Sequence, residues 1–365
     1  MHTPLARLTV WSALLGLLLF PATGFSQGCV VAHGSGLPTS DAMGDASNPV
    51  SVSIAYRWFK SDRHYVGTVE QTQRAVNGDQ VVNQSNFTDV SIDYVVNSRF
   101  SSTLTLPYVS HDRSQVVKNS AGVILQRFST QASGLADISA TGNAWVFDPQ
   151  NSPKGNLQVS AGFSLPTGKD DVRDTFQVFD KTTNQVVAAL RTVDQSIQPG
   201  SGGYGIVLAL SGFRKLGAGF TFFGNGTYTI TPQEKNNVPT FRSSVYESIM
   251  SIPDTYSLRT GFEYTVPTAR GLGLSLGLRA EGVPVYDLIG GSKGFRRPGY
   301  SVAVEPGISY ERSGWSTRLY VPYAIQRNRT QSVPDKQRTE ATGVYAQGDA
   351  AFADYLIMWT LSHKF

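Results

Sequence analysis

Apolar and polar side chains alternate along much of this chain. In the clearest example, the stretch 272–279, leucine fills every even position and Gly, Ser or Arg fills every odd one. Successive side chains of a β-strand point to opposite faces, so this pattern predicts strands with one apolar and one polar face. About twelve such segments follow Pro49: 50–58, 90–96, 104–108, 138–146, 157–165, 204–210, 220–230, 256–266, 272–280, 300–310, 315–325 and 352–365.

The connections between these segments alternate in length. Tight links near 97–99, 148–154, 213–216, 268–271 and 311–314 alternate with long polar segments at 61–83, 111–133, 167–201, 231–252, 284–298 and 328–349. Soluble β-sandwiches rarely keep such alternation through every hairpin. It is typical of membrane barrels, which also have an even number of strands. The sequence therefore predicts an all-β, single-domain, transmembrane antiparallel up-and-down β-barrel of about 12 strands, with short periplasmic turns and long extracellular loops.

The first residues resemble an export signal. Basic residues precede an apolar run from Leu8 to Phe20, and small residues follow it. This pattern predicts a cleaved signal peptide at 1–26, a flexible periplasmic lead-in at 27–48 and the transmembrane barrel at 49–365. The expected location is the cell outer membrane. Cys29, the single cysteine, is either a free thiol or a lipidation site after cleavage.

Charged residues on the polar faces are the candidate functional residues. An Arg that faced lipid at the bilayer midplane would cost about 2–4 kcal/mol, so these side chains are expected to line the lumen. Counting from the turns places Arg259 opposite Arg279, with Glu263 and Glu281 diagonal to them, and Glu305 diagonal to Arg318. The group forms either a charged constriction that filters solutes or a ladder of ion pairs that fills a narrow barrel. Its members are Arg57, Asp93, Arg259, Glu263, Arg279, Glu281, Glu305 and Arg318.

Three functions remain open from the residues alone. About twelve strands leave an intermediate lumen, which would pass small solutes unless a segment such as 167–201 folded inward and blocked it. The first function is passive uptake of small molecules, including hydrophobic or aromatic ones. The second is a closed structural or surface-interaction barrel that works through its extracellular loops. The third is a barrel hydrolase, for which His111 has Ser110 and Ser114 nearby.

Other classes of chemistry have little support in the sequence. No phosphate-binding loop and no cluster of metal-ligating residues is present, so no cofactor or metal is expected. The net charge of +4 is spread without a basic cluster, which argues against a nucleic-acid partner. The expected partners are outer-membrane lipid and a small-molecule solute.

A short motif in the middle of the chain resembles a known family. Gly134–Ile138 and Gly162–Lys169 resemble the GLGDI and LPTGK pattern of a bacterial outer-membrane family named for the meta-cleavage pathway of phenol degradation, with Ala136 in place of the usual glycine. The resemblance implies a barrel that transports small, often aromatic, compounds. It covers only about residues 134–170 and implies no binding residue.

The final segment also carries a family-like feature. Phe352–Phe365 alternates throughout and ends in an aromatic residue. Such a strand resembles the closing strand of bacterial outer-membrane barrels. Phe365 is therefore expected to act as an assembly signal that is read by the barrel-assembly machinery.

Overall fold

The chain folds as a closed antiparallel β-barrel. The computed structural model describes residues 49–242 and 244–365, so the predicted signal peptide, the lead-in and Cys29 lie outside the described residues. The strands are β1 Val50–Val66, β2 Val69–Glu70, β3 Val82–Val95, β4 Phe100–Lys118, β5 Ile124–Leu135, β6 Ile138–Trp145, β7 Gly155–Leu165, β8 Arg173–Asp180, β9 Gln185–Thr192, β10 Gly205–Gly217, β11 Phe220–Ile230, β12 Lys235–Pro239, β13 Ile249–Ser251, β14 Thr255–Thr265, β15 Leu272–Val283, β16 Gly299–Arg312, β17 Trp315–Tyr320, β18 Tyr323–Arg329 and β19 Ala350–Lys364.

Twelve strand positions make up the barrel wall, as the sequence predicted. In order they are β1, β3, β4, β5–β6, β7, β10, β11, β14, β15, β16, β17–β18 and β19. The first and last strands close the wall, with Ser51 opposite Lys364 and Tyr65 opposite Ala350. Two positions are interrupted. The break between β17 and β18 falls at Val321 and Pro322, where proline has no N–H for the ladder.

The two faces of the wall differ as the alternation requires. On β15, Leu274, Leu276 and Leu278 lie on the outside and are about half exposed. The intervening residues, Gly or Ser, point into the lumen. One cluster of buried apolar residues lies inside the barrel against β1, β3, β4 and β19. This cluster consists of Phe59, Phe87, Val109, Ala136 and Leu356.

The long connections are more ordered than the sequence suggested. The segment 111–133 was predicted as a loop but is mostly strand, because β4 runs to Lys118 and β5 begins at Ile124. Both faces of this hairpin carry polar residues, so the alternation that reveals membrane-spanning strands is missing there. Segment 167–201 contains the β8–β9 hairpin, and 231–252 contains β12 and β13.

Two α-helices lie in these connections, α1 Gln73–Val76 and α2 Val333–Thr342. Helix α2 begins with a capping box between Ser332 and Asp335 and ends at Gly343, whose φ of 68° suits a helix C-terminus. No helix in the described ranges is long and apolar enough to cross a membrane.

Candidate lumen constriction and its cap

Four of the predicted charged residues form one buried cluster on neighbouring strands. The register places Arg259 of β14 directly opposite Arg279 of β15, as predicted. Glu305 of β16 joins them, because it accepts a 2.7 Å hydrogen bond from Arg259 Nε and lies 3.7 Å from Arg279 Nη1. Arg279 also donates to Glu281 at 3.0 and 2.8 Å. None of the four is more than 9% exposed.

Some of the predicted pairings are wrong in detail. Glu281 lies diagonal to Arg259, as predicted, but its ion pair is with Arg279 of its own strand, two residues away. Arg318 lies opposite Ser309 and pairs with Glu311 at the short-turn end of the same hairpin, so it does not reach Glu305. The β16–β17 turn is tight, with Arg312 opposite Trp315, which moves Arg318 four residues from the level of Glu305.

The other three candidates lie apart from this cluster. Glu263 is near the short-turn end, where it accepts a 3.4 Å hydrogen bond from Ser309. Asp93 is also near that end and accepts hydrogen bonds from Thr103 at 2.5 Å and Ser51 at 3.5 Å. Arg57 stacks over the Phe87 ring at 4.3 Å, and its charge interacts across the lumen with Glu281.

Aromatic side chains cross the lumen at the level of the charged cluster. Phe223 of β11 and Tyr320 of β17 are buried against each other, although three strands separate them in the wall, and Met358 packs on both. Arg259 lies 4.4 Å above the Tyr320 ring. We call Phe223, Tyr320, Met358, Arg259 and Glu305 the constriction. It is made of side chains alone.

Glycines in the wall make room for these rings. A Cβ at Gly307 would collide with the Tyr320 ring, and one at Gly261 would lie 3.0 Å from Phe223 Cζ. The aromatic part of the constriction does not follow from the charged inward positions alone. A large aromatic residue on a polar face, opposite a glycine, is the signal that would have found it.

Loops at the end of the barrel with the long connections meet around one buried carboxylate, and we call these loops the cap. Asp194 begins a short 3-10 helix in segment 167–201, and its two oxygens accept hydrogen bonds of 2.7 and 2.6 Å from Arg297. Arg113 of β4 lies 3.5 Å away and Arg242 lies 3.9 Å away. Burial acts to raise the pKa of Asp194, but Arg113 and Arg297 outweigh it and hold that pKa well below its usual range.

Segment 167–201, the candidate for an inward-folding connection, enters the barrel through the residues around Asp194. Val193 and Ile197 are fully buried against Ala132 on the inner face of β5. The apolar stretch Phe176–Leu190 instead forms most of the β8–β9 hairpin, where Phe176 packs on Phe128 and Phe241.

The family-like motif has a structural role at the break between β5 and β6. Asp137 accepts hydrogen bonds from the N–H of Gly168 at 3.0 Å and from the N–H of Ser201 at 2.8 Å. Thr167 Oγ1 donates to Ala136 O and accepts from the N–H of Ile138. The motif therefore holds both ends of segment 167–201 by hydrogen bonds to the residues between β5 and β6.

The hydrolase arrangement does not form. Neighbouring residues of a strand face opposite sides, so His111 points into the lumen while Ser110 is exposed on the outer face. Ser114 shares that outer face and accepts a hydrogen bond from Arg127. Among the described residues, no group of His, Cys, Asp and Glu side chains is placed to hold a metal.

Comparison with known proteins supports the fold. No protein-family model matches the chain, and no curated protein is significantly similar to it. Among solved structures, an outer membrane channel from Pseudomonas putida F1 is similar, with 11% identity, a TM-score of 0.55 and coverage of 87% of this chain and 96% of that one. A Pseudomonas aeruginosa FadL homologue has 8% identity, a TM-score of 0.45 and coverage of 93% and 96%. At such low identity the first similarity shows a shared barrel fold, and the second is too weak to add to it.

Proposed function

We propose that this chain is an outer-membrane channel for passive uptake of small molecules, including hydrophobic or aromatic ones. The observation that carries the proposal is the constriction, because among residues 49–242 and 244–365 the groups that meet across the lumen at its level are side chains. Side-chain rotations can widen such a narrowing without unfolding any backbone.

The setting of the barrel follows from its two faces. Its outer surface presents leucine, phenylalanine and tyrosine in a band that suits outer-membrane lipid as the surrounding partner. Long connections lie at one end, which we place outside the cell, and short turns at the other, in the periplasm. The similar barrel from Pseudomonas putida F1 is itself described as an outer membrane channel, which supports this placement.

Swelling of proteoliposomes in isotonic solutions of small solutes tests the proposal. Purified wild-type barrel is expected to give measurable swelling with small neutral solutes, and Tyr320→Ala is expected to give about twofold or faster swelling, since it removes a ring from the constriction. Tyr323→Ala is the matched control, because Tyr323 lies on the outer face of the same composite strand and is 55% exposed.

One result would count against a channel, and another would count against the constriction. If neither wild type nor Tyr320→Ala admits any solute while both migrate as folded barrels on unheated gels, the lumen is closed and the surface-interaction function is favoured. If Tyr323→Ala increases swelling as much as Tyr320→Ala, the effect is not due to the constriction.

A further inference from the structure

Arg242 lies in the cap with its charge incompletely matched. Its nearest carboxylate oxygens are on Glu247 at 3.7 Å and Asp194 at 3.9 Å, and both are beyond hydrogen-bond distance. In the part of the chain that the structure describes, its buried Nε has no acceptor. Among the described residues, its terminal nitrogens therefore form these two long ion pairs and no short hydrogen bond to a carboxylate.

Arg242 lies beside two other guanidinium groups. Those of Arg113, Arg242 and Arg297 lie 3.5, 3.9 and 2.6 Å from Asp194, and Glu247 lies 3.7 Å from Arg242. Asp194 is already engaged by both terminal nitrogens of Arg297. Burial, with a contribution from Arg297, lowers the pKa of Arg242 to about 10, so the group stays charged at neutral pH.

Aromatic rings surround the same guanidinium. Arg242 lies 3.9 Å from the centre of the Phe295 ring and 5.6 Å from that of Phe241. Phe241 in turn packs on Phe176, with ring centres 5.2 Å apart. The Arg242 side chain is still 28% exposed, so a molecule entering the cap can reach it.

We propose that Arg242 binds the carboxylate of a small aromatic acid on its way into the channel. The guanidinium would hold the carboxylate through paired hydrogen bonds, the geometry that arginine favours, and the partly exposed Phe241 ring would pack against the ring of the ligand. A neutral hydrocarbon would satisfy only the second contact and an inorganic anion only the first. The site therefore selects molecules that carry both groups.

Calorimetric titration of folded, detergent-solubilised protein with benzoate tests the site. Wild type is expected to bind benzoate saturably, and Arg242→Gln to bind about tenfold or more weakly, equivalent to roughly 1.4 kcal/mol. Arg242→Lys keeps the charge without the paired donors and is expected to fall between the two. Arg214→Gln is the control, because Arg214 is exposed near the short turn that follows β10, at the opposite end of the barrel from the cap.

Ligand comparison separates the two halves of the site. Benzyl alcohol and inorganic phosphate are each expected to bind about tenfold more weakly than benzoate. Equal binding of phosphate and benzoate would overturn the aromatic specificity, and undiminished benzoate binding by Arg242→Gln would overturn the site. Proteolysis of each variant at the cap confirms that its loops are folded as in wild type.

This inference rests on the proposed function only for its role in uptake. If wild type binds benzoate but never conducts, the channel is wrong and the site stands. If it conducts but binds no benzoate, the site is wrong and the channel stands.

Discussion

Glu305 is the residue on which the charged half of the constriction depends. It interacts with both Arg259 and Arg279 and is only 2% exposed. Removing one partner of a buried ion pair leaves an uncompensated charge, which destabilises by about 3–5 kcal/mol. Glu305→Gln is therefore expected to lower the free energy of unfolding in urea by about 3 kcal/mol.

The exposed Glu340 in α2 provides the control, since Glu340→Gln is expected to change stability little. A decrease of less than about 1 kcal/mol in the free energy of unfolding of Glu305→Gln would mean that water in the lumen already screens the charges of Arg259, Arg279 and Glu305.

The lowered pKa of Asp349 makes the stability of the folded protein depend on pH. Burial acts to raise its pKa, but the hydrogen bond from His64 Nδ1 at 2.8 Å and the ion pair with Arg74 at 2.6 Å lower it to about 2. An Asp with a lowered folded-state pKa adds stability above its unfolded value, near 4, and that stability disappears as the pH falls toward 2. Near neutral pH, the free energy of unfolding of Asp349→Asn is expected to be about 2 kcal/mol lower than that of wild type.

Chemical unfolding of both proteins across acidic pH measures this difference. The difference in free energy of unfolding between wild type and Asp349→Asn should fall to zero between about pH 4 and pH 2. Asp171→Asn, whose carboxylate is 61% exposed, should show no such change. A gap that stayed constant down to pH 2 would show that the carboxylate charge is not what stabilises the cap.

At the residue scale, only some of the site could be predicted from the sequence. Alternation fixed which charges face inward, and turn counting fixed the register of Arg259 against Arg279. The pairing of Arg318 was missed, because one tight turn shifts partners by several residues. The Asp194 cluster joins four distant segments, and nothing local in the sequence links Asp194 to Arg113, Arg242 and Arg297.

Among the larger elements, segment 167–201 is held at its base by a close backbone contact. A Cβ at Gly200 would overlap the backbone of Gly168. The two chain segments at the base of this loop can therefore approach so closely only because both positions are glycine. Gly200→Ala is expected to loosen this segment while leaving the barrel intact. Limited proteolysis should then cut within 167–201 at least about tenfold faster than in wild type.

Gly142→Ala is the matched control, because a Cβ there lies 3.9 Å from the nearest atom, an ordinary contact. Equal proteolysis rates for Gly200→Ala and wild type would show that the base tolerates the extra methyl group by a small shift.

The terminal strand β19 carries the prediction about assembly. Phe365 donates its N–H to Val50 O at 2.9 Å, and its ring packs on His363, so it contributes to the seam between β1 and β19. If Phe365 is also read by the barrel-assembly machinery, Phe365→Asp should lower outer-membrane levels by about tenfold. Phe220→Asp, at an exposed phenylalanine of β11, controls for loss of a lipid-facing aromatic residue. Normal levels of heat-modifiable Phe365→Asp would argue against the assembly role.

The strands were predicted more completely than the loops for a physical reason. A strand between lipid and a wet lumen must alternate, so all twelve positions were visible. The β8–β9 hairpin and the upper part of the β4–β5 hairpin lie where both faces meet water or other loops, and no alternation marks them. The inward turn at Val193–Ile197 depends on contacts with Ala132 that are made only in the folded barrel.

For the molecule as a whole, the barrel has two obstacles in series. The constriction is built from side chains near the middle of the wall, and the cap is built from loops around Asp194. Passage of a solute requires side chains to rotate at the first and a gap between loops at the second. The proposed carboxylate site at Arg242 lies in the cap, where an entering solute would meet it before the constriction.

Single-channel conductance in planar bilayers tests the side-chain constriction most directly. Wild type is expected to give small, discrete openings, and the double variant Phe223→Ala/Tyr320→Ala to give steps about twofold or more larger, because both rings that cross the lumen are removed. Phe262→Ala/Tyr323→Ala, which removes two exposed outer-face rings, should conduct like wild type. No current from folded wild type and from the widened variant alike would contradict the account.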